Sequence, residues 1–332
     1  MTETMRAWRV TRNGEPTEVM SLDEVDRPEP GPGEVLVRTR AVAVNFPDVL
    51  LARGTYQVRP ELPFVPGIEL CGDVVALGEG VDRSGRVAVG QRVVGSAIGV
   101  LSEFAVLPAE SCRLAPDSLD DAQAAALTIA YQTAWFGLHR RAGLASGETL
   151  LVHAAAGGVG TAACQLGAAA GAMVIGVVGS EAKADVARTA GAEHVLVRSG
   201  DLAAQVKELT GGAGADVVFD PVGGASFEAS TKCIAFEGRI VVVGFASGEV
   251  APVRANHALV KNYGVLGLHW ALYQQRDPAL VDAAHAELTR LAGSGAVVPV
   301  VADVVPFDRA PDAVRRLAEG ATTGRLVVRV AA

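Results

Sequence analysis

Cysteine is scarce in this chain of 332 residues. Its four copies, Cys71, Cys112, Cys164 and Cys233, stand far apart, with no CxxC pair and no histidine at ligand spacing beside any of them. That spacing excludes a structural zinc lobe and makes the thiols small buried hydrophobes, because free cysteine is among the most buried residue types. Clustered positive charge is also missing. With 29 Lys and Arg against 37 Asp and Glu the formal net charge is −8, and a phosphate backbone needs grouped cations, so no nucleic acid partner is expected. Long hydrophobic runs are lacking as well. Half of the residues are apolar, but they come in short runs broken by glycine and proline, so neither a bilayer span nor a membrane partner is expected. The opening MTETMRAWRV has no basic start and no apolar middle of a secretory leader, from which a cytoplasmic location is expected.

What is abundant is glycine, 38 residues, and its placement organises the chain. Up to about residue 125, short alternating runs such as EVLVRTRAVAV and GDVVALGEGV are punctuated by EPGPGE and RPELPFVPG, the pattern of an irregular β-rich module. From 128 to 264 the chain alternates apolar strand and amphipathic helix through TLLVHA, MVIGVVG, HVLVR, ADVVFD and RIVVVG. Five β-α steps predict a parallel sheet doubly wound by helices. The final pair VVPVVADVVPF and GRLVVRV reads as the β module resumed. The expected architecture is therefore α/β, with residues 1–127 and 265–332 forming one domain and 128–264 inserted in it.

The inserted domain opens with LLVHAAAGGVGTAACQLGAAAG. Ala154 to Gly160 is AxxGxxG between a strand and a helix, a variant of the dinucleotide fingerprint. Ala156, Gly157, Gly158, Val159 and Gly160 make the turn, Gly157 letting backbone amides approach a pyrophosphate and Gly160 letting helix pack on strand. Rival nucleotide signatures are absent: the chain has no Gly-Lys dipeptide for a P-loop, and none of its four tyrosines has Lys four residues on, as short-chain dehydrogenases require. An NAD site carries Asp or Glu at the end of the second strand. Here Gly179 and Ser180 stand there, while Lys183 and Arg198 are placed to meet an adenosine 2′-phosphate, which favours NADPH. The opposing reading is Glu181 on the ribose hydroxyl, with Lys183 and Arg198 as solvated surface residues.

The segments GPGEVLVR, AVNFPDVLLARGTY, PFVPGIELCGDVVALGEGV, GETLLVHAAAGGVGTAACQLG and DPVGG followed by VVVGFASG resemble the medium-chain dehydrogenase/reductase superfamily, in its zinc-free, zeta-crystallin-like NADPH:quinone oxidoreductase branch. The likeness runs through nearly the whole chain; Ala168 departs from the branch's glycine signature on a helix surface. It implies a GroES-like catalytic domain around a Rossmann domain, with the active site in the cleft between them. Zinc relatives have Cys where this chain has Asn45 and His where it has Ile68, so no metal is expected and alcohol oxidation is set aside.

Without a metal, hydride must go to an acceptor that is already electrophilic, a quinone or an enone. The resemblance implies that Asn45, Asp48 and Tyr56 line the quinone pocket, Asn45 supporting an oxyanion through its amide N–H donors and Tyr56 protonating the product. Read from the residues alone, Asn45 is equally a turn residue, Asp48 a helix-start charge or buried structural partner, and Tyr56 a packing residue. Leu50 replaces a second family tyrosine and makes the pocket more apolar. Strand ends add Val222, Gly223, Gly244, Phe245 and Ser247 to the cofactor contacts. Thr133 matches a family threonine near the nicotinamide, unless it only back-bonds its own helix. His269 and Trp270 face the site or serve core or dimer surface. The expected activity is NADPH-dependent quinone reduction. Reduction of activated C=C bonds in enones or enoyl thioesters is the alternative, for which Arg53 and Arg59 offer a basic pair, and a non-catalytic NADPH-binding protein is the third reading. A homodimer is expected, formed along an edge strand from YGVLGLHW.

Overall fold

In the first third of the chain β-branched residues alternate with polar ones, the period of strands with one face in a core. The structure, a computed structural model, describes residues 3–81, 85–198 and 200–330. These alternating runs form β1 (Thr4–Val10), β2 (Met20–Asp26), β3 (Glu34–Ala43), β4 (Leu70–Leu77), β5 (Arg92–Gly95), β6 (Phe104–Pro108) and β7 (Cys112–Leu114). The middle of the chain supplies β8 (Thr149–His153), β9 (Met173–Val178), β10 (His194–Val197), β11 (Ala215–Asp220), β12 (Ile234–Val242) and β13 (Gly264–Gly267), and the end β14 (Val301–Pro306) and β15 (Arg325–Arg329).

Two compact units result: Met1–Ile129 with His285–Gly293 and Val301–Ala332, and Ala130–Ala284 with Ser294–Val300. The first is β-rich. β3 pairs antiparallel with β4, β6 and β15, and β15 carries β14 at its side, so the last strands of the chain complete the sheet begun by the first. Val35, Val37, Leu70, Val93, Leu107 and Val328 fill its core.

In the second unit the sheet order is β10-β9-β8-β11-β12-β13, all parallel. The expected doubly wound parallel sheet is thus the observed one. The order reverses between β8 and β11, the switch point at which open α/β sheets leave a crevice beyond the carboxyl ends of their strands. Leu151, Ile175, Val218, Ile240 and Phe227 pack its core. The helix Gly158–Ala169 buries Gly160, Ala162, Ala163, Cys164, Leu166 and Gly167, and the small residues among them let it lie close on the sheet. YGVLGLHW forms the edge strand only over Gly264–Gly267. Trp270 leaves the edge, is buried, and donates its Nε1–H to Gln132 Oε1 at 3.0 Å, while His269 stays exposed. All four cysteines are buried. Among the described residues no helix is long and apolar enough to cross a membrane.

Candidate functional site

The carboxyl ends of the parallel strands collect the residues that the sequence marks for a dinucleotide. After β8 the chain turns at Ala154 with φ of +50°. The glycine at 160 is forced by contact: a Cβ there would lie 2.1 Å from Ala154 O. Ala156, Gly157, Gly158 and Val159 complete the turn, and Gly157 caps the helix without a side-chain hydrogen bond. The first-turn amides of the helix therefore remain for an anion, which the helix dipole also favours. This cradle fits a pyrophosphate.

The neighbouring strand ends extend it. Gly179 and Ser180 follow β9 and are exposed. Arg198 follows β10 and brings its guanidinium within 3.9 Å of where a Cβ on Gly179 would stand, so a larger residue at 179 would crowd the cation. Lys183 ends the short turn Glu181–Lys183. Glu181 is largely exposed, with its carboxylate 4.0 Å from Arg188. Val222 and Gly223 follow β11, Gly223 at φ of +72°. Ser247 Oγ donates to Val222 O at 2.7 Å, latching the loop of Gly244, Phe245 and Ser247 onto that turn. Thr133 is buried on the helix Thr128–Trp135. Sequence reasoning passed over His153 and Asp220, both 1% exposed at the ends of β8 and β11.

In the β-rich unit a buried polar network surrounds the start of the helix Phe46–Arg53. Asn45, 3% exposed, is its N-cap residue but makes no side-chain cap. Its Nδ2 donates to Ala43 O at 3.0 Å and to Glu69 Oε1 at 2.9 Å, and its Oδ1 accepts from Arg325 at 2.9 Å. Arg325 also pairs with Glu69, whose second oxygen accepts the Ile129 N–H at 2.8 Å. An amide nitrogen has two hydrogens, and both of Asn45's are engaged. The expectation that Asn45 offers N–H donors to a substrate oxyanion is corrected accordingly: it is a buried bracket between Glu69 and Arg325. Those two partners were not singled out, although Glu69 lies next to the Ile68 already weighed as a metal position.

Asp48 Oδ2 accepts the Asn45 N–H at 2.7 Å. Burial raises the Asp48 carboxyl to about 7, against the opposing pull of the Asn45 amide, Arg325 and the Gly67 amide. Tyr56 is half-buried, and burial first, then the Asp48 carboxylate, hold its hydroxyl in the neutral form. Asn45, Asp48 and Tyr56 are thus brought together. Because folding favours protonated Asp48, the fold loses stability as pH rises from about 4 through 7. Asp48→Asn, which keeps an acceptor for Asn45, should exceed the parent in stability at pH 8 by on the order of 3 kcal/mol, with the gain shrinking toward pH 4. Urea midpoints at the two pH values check this; a constant difference contradicts it.

These residues do not suit zinc. Asn45 and Ile68 offer no thiolate or imidazole, and of the carboxyls beside them Glu69 is already held by a guanidinium and a backbone amide while Asp48 accepts the Asn45 N–H. Among the described residues no three His, Cys, Asp or Glu side chains converge in a way that could hold a metal ion.

Comparison with known proteins places the chain. Residues 31–117 match the alcohol dehydrogenase GroES-like domain and residues 158–286 the zinc-binding dehydrogenase domain. A quinone oxidoreductase-like protein 2 homolog of Nematostella vectensis is 37% identical over 90% of this chain and 82% of its own. The Escherichia coli quinone oxidoreductase, solved in complex with NADPH, superposes with a TM-score of 0.89 at 32% identity, covering 99% of this chain and 100% of that one. A mycocerosic acid synthase-like polyketide synthase of Mycobacterium tuberculosis is 36% identical over 92% of this chain, which spans 14% of that much longer protein. With the GroES-like β-rich part, the doubly wound parallel sheet and full-length relatives of this kind, the chain belongs to the quinone oxidoreductase-like family of the medium-chain dehydrogenase/reductase superfamily.

Proposed function

We propose that the protein is an NADPH-dependent, zinc-independent oxidoreductase that reduces quinones. The observation that carries the reading is the Asn45–Glu69–Arg325 network: where zinc relatives need ligands, the charge beside Glu69 is balanced by Arg325. The glycine turn at 154–160, with Arg198 over Gly179, suits a phosphate-rich cofactor. When bound, NADPH supplies the hydride.

The chain's own residues then bind, orient and move protons. The amides after Gly157 would hold the pyrophosphate, Lys183 and Arg198 the 2′-phosphate, and the Val222–Gly223 turn and the Phe245 loop the nicotinamide part. Tyr56, kept neutral, has an O–H to give to the reduced oxygen, and Asp48, whose carboxyl burial raises to about 7, would restore that proton. A quinone or enone needs only this much, because delocalisation takes up the incoming charge.

A second reading, reduction of an enoyl thioester, is favoured by the likeness to a segment of a polyketide synthase, since polyketide chains are carried as thioesters. Arg53 weakens it: its guanidinium is forked onto Glu15 at 2.9 Å and so is committed. NADPH consumption against a panel of quinones, enones and enoyl thioesters decides, with turnover greatest on quinones expected. No turnover with any acceptor would leave a binding protein.

The same reading includes a cytoplasmic homodimer. β13 is a sheet edge, and nearby Leu259 and Val260 are 77% and 75% exposed, an apolar surface that a two-fold mate would cover. Sedimentation at micromolar concentration should give twice the chain mass of 34.1 kDa; a monomer contradicts it.

A further inference from the structure

Two buried titratable groups of the parallel-sheet unit have no part in the scheme above, and they are neighbours. His153 ends β8 and Asp220 ends β11, and these strands pair with Val152 opposite Phe219. The next position on each strand therefore sets the two side chains side by side on one face of the sheet. Asp220 Oδ1 accepts the N–H of Val222 at 2.8 Å and of Gly223 at 3.0 Å, so this carboxylate shapes the turn after β11. His153 Nε2 lies 2.7 Å from Ser230 Oγ. That hydroxyl gives its own hydrogen to Ser226 O at 2.9 Å and can only accept from the imidazole, which places the ring's proton on Nε2. What remains, His153 Nδ1 and Asp220 Oδ2, are two buried acceptors with no hydrogen-bond partner among the described residues. Both atoms are acceptors, so neither can satisfy the other as the ring stands.

The charged groups acting on this imidazole are Asp220 from β11 and Arg198 from the end of β10, whose guanidinium reaches over Gly179 beside β8's neighbour β9. Burial depresses proton affinity at His153, Asp220 opposes that, and Arg198 adds to the depression.

We propose that His153 is a specificity-setting positioning residue of the dinucleotide site: an anion settling against Arg198 admits a proton to Nδ1, which bridges to Asp220 and couples the adenosine end to the Val222–Gly223 turn. This rests on the reading of the unit as an NADPH site. The sign follows from linkage. A 2′-phosphate offsets the field of Arg198, so NADPH binding takes up protons and tightens as pH falls, more than NADH binding does. The second ionisation of the phosphate, near about 6, acts in the opposite sense and is the same in any variant.

The test compares the whole protein with His153→Gln, which retains an N–H for Ser230 but cannot ionise. Dissociation constants for NADPH and NADH are measured by nucleotide fluorescence from pH 6 to pH 8, and proton uptake by calorimetry in buffers of different ionisation enthalpy. Toward pH 6 the parent's preference for NADPH should rise about threefold or more relative to the variant, with proton uptake lost in His153→Gln. Identical pH profiles and proton counts in the two proteins overturn the role of His153 while leaving the cofactor reading intact. Failure of the parent to bind NADPH overturns the cofactor reading itself. Should His153→Gln not fold, the imidazole carbon signal of the parent decides: it should move toward the cationic position with NADPH and less with NADH, and an unmoved signal overturns the inference.

Discussion

Arg325→Met should destabilise the protein by about 3–5 kcal/mol, the cost of leaving one partner of a buried ion pair uncompensated. Arg325 is 5% exposed and Glu69 fully buried; removing the guanidinium strips Glu69 of its counter-charge and Asn45 Oδ1 of its donor. Burial lowers Arg325 to about 10, so it remains a cation at neutral pH. The loss should be repaired in part by adding Glu69→Gln, which removes the stranded charge while keeping an acceptor for the Ile129 amide. Urea unfolding of the single and double variants checks this. Equal losses in both would mean that shape, not charge balance, is what the network provides.

The other large effect concerns the cofactor. If Lys183 and Arg198 clasp the 2′-phosphate, each contact contributes roughly 1–3 kcal/mol. Lys183→Ala and Arg198→Ala should then each raise the KM for NADPH about tenfold or more, while KM for NADH changes little, because NADH offers those cations nothing to hold. Raised salt should weaken NADPH more than NADH, since exposed phosphate pairs are screened. Equal losses for both cofactors would assign the two residues to the fold, and a preference of the parent for NADH would point to Glu181.

The parallel sheet and its glycine turn were legible because both are local. Strand-helix alternation and AxxGxxG are set by backbone geometry within a few residues, and the 2.1 Å approach at Gly160 is what the glycine there foretells. The candidate site of the β-rich unit was only half legible. Its helix start at Asn45 and Asp48 could be read from VNFPD, but what Asn45 does depends on Arg325, 280 residues away, and on Glu69. No spacing rule joins such partners. The arginine that opens the run RLVVRV was the available signal, and by itself it reads as a strand-end charge. YGVLGLHW misleads in length for a similar reason: its apolar residues serve two elements, a four-residue edge strand and the buried Trp270 held by Gln132.

The central claim is hydride transfer from NADPH to a quinone without a metal. Its most direct test is NADPH oxidation by the chelator-treated protein, purified without added metal, with zinc measured by elemental analysis on the same sample. Full quinone turnover is expected at far less than one zinc per chain, unchanged when zinc is added back. Turnover that disappears with chelation and returns in proportion to bound zinc would contradict it.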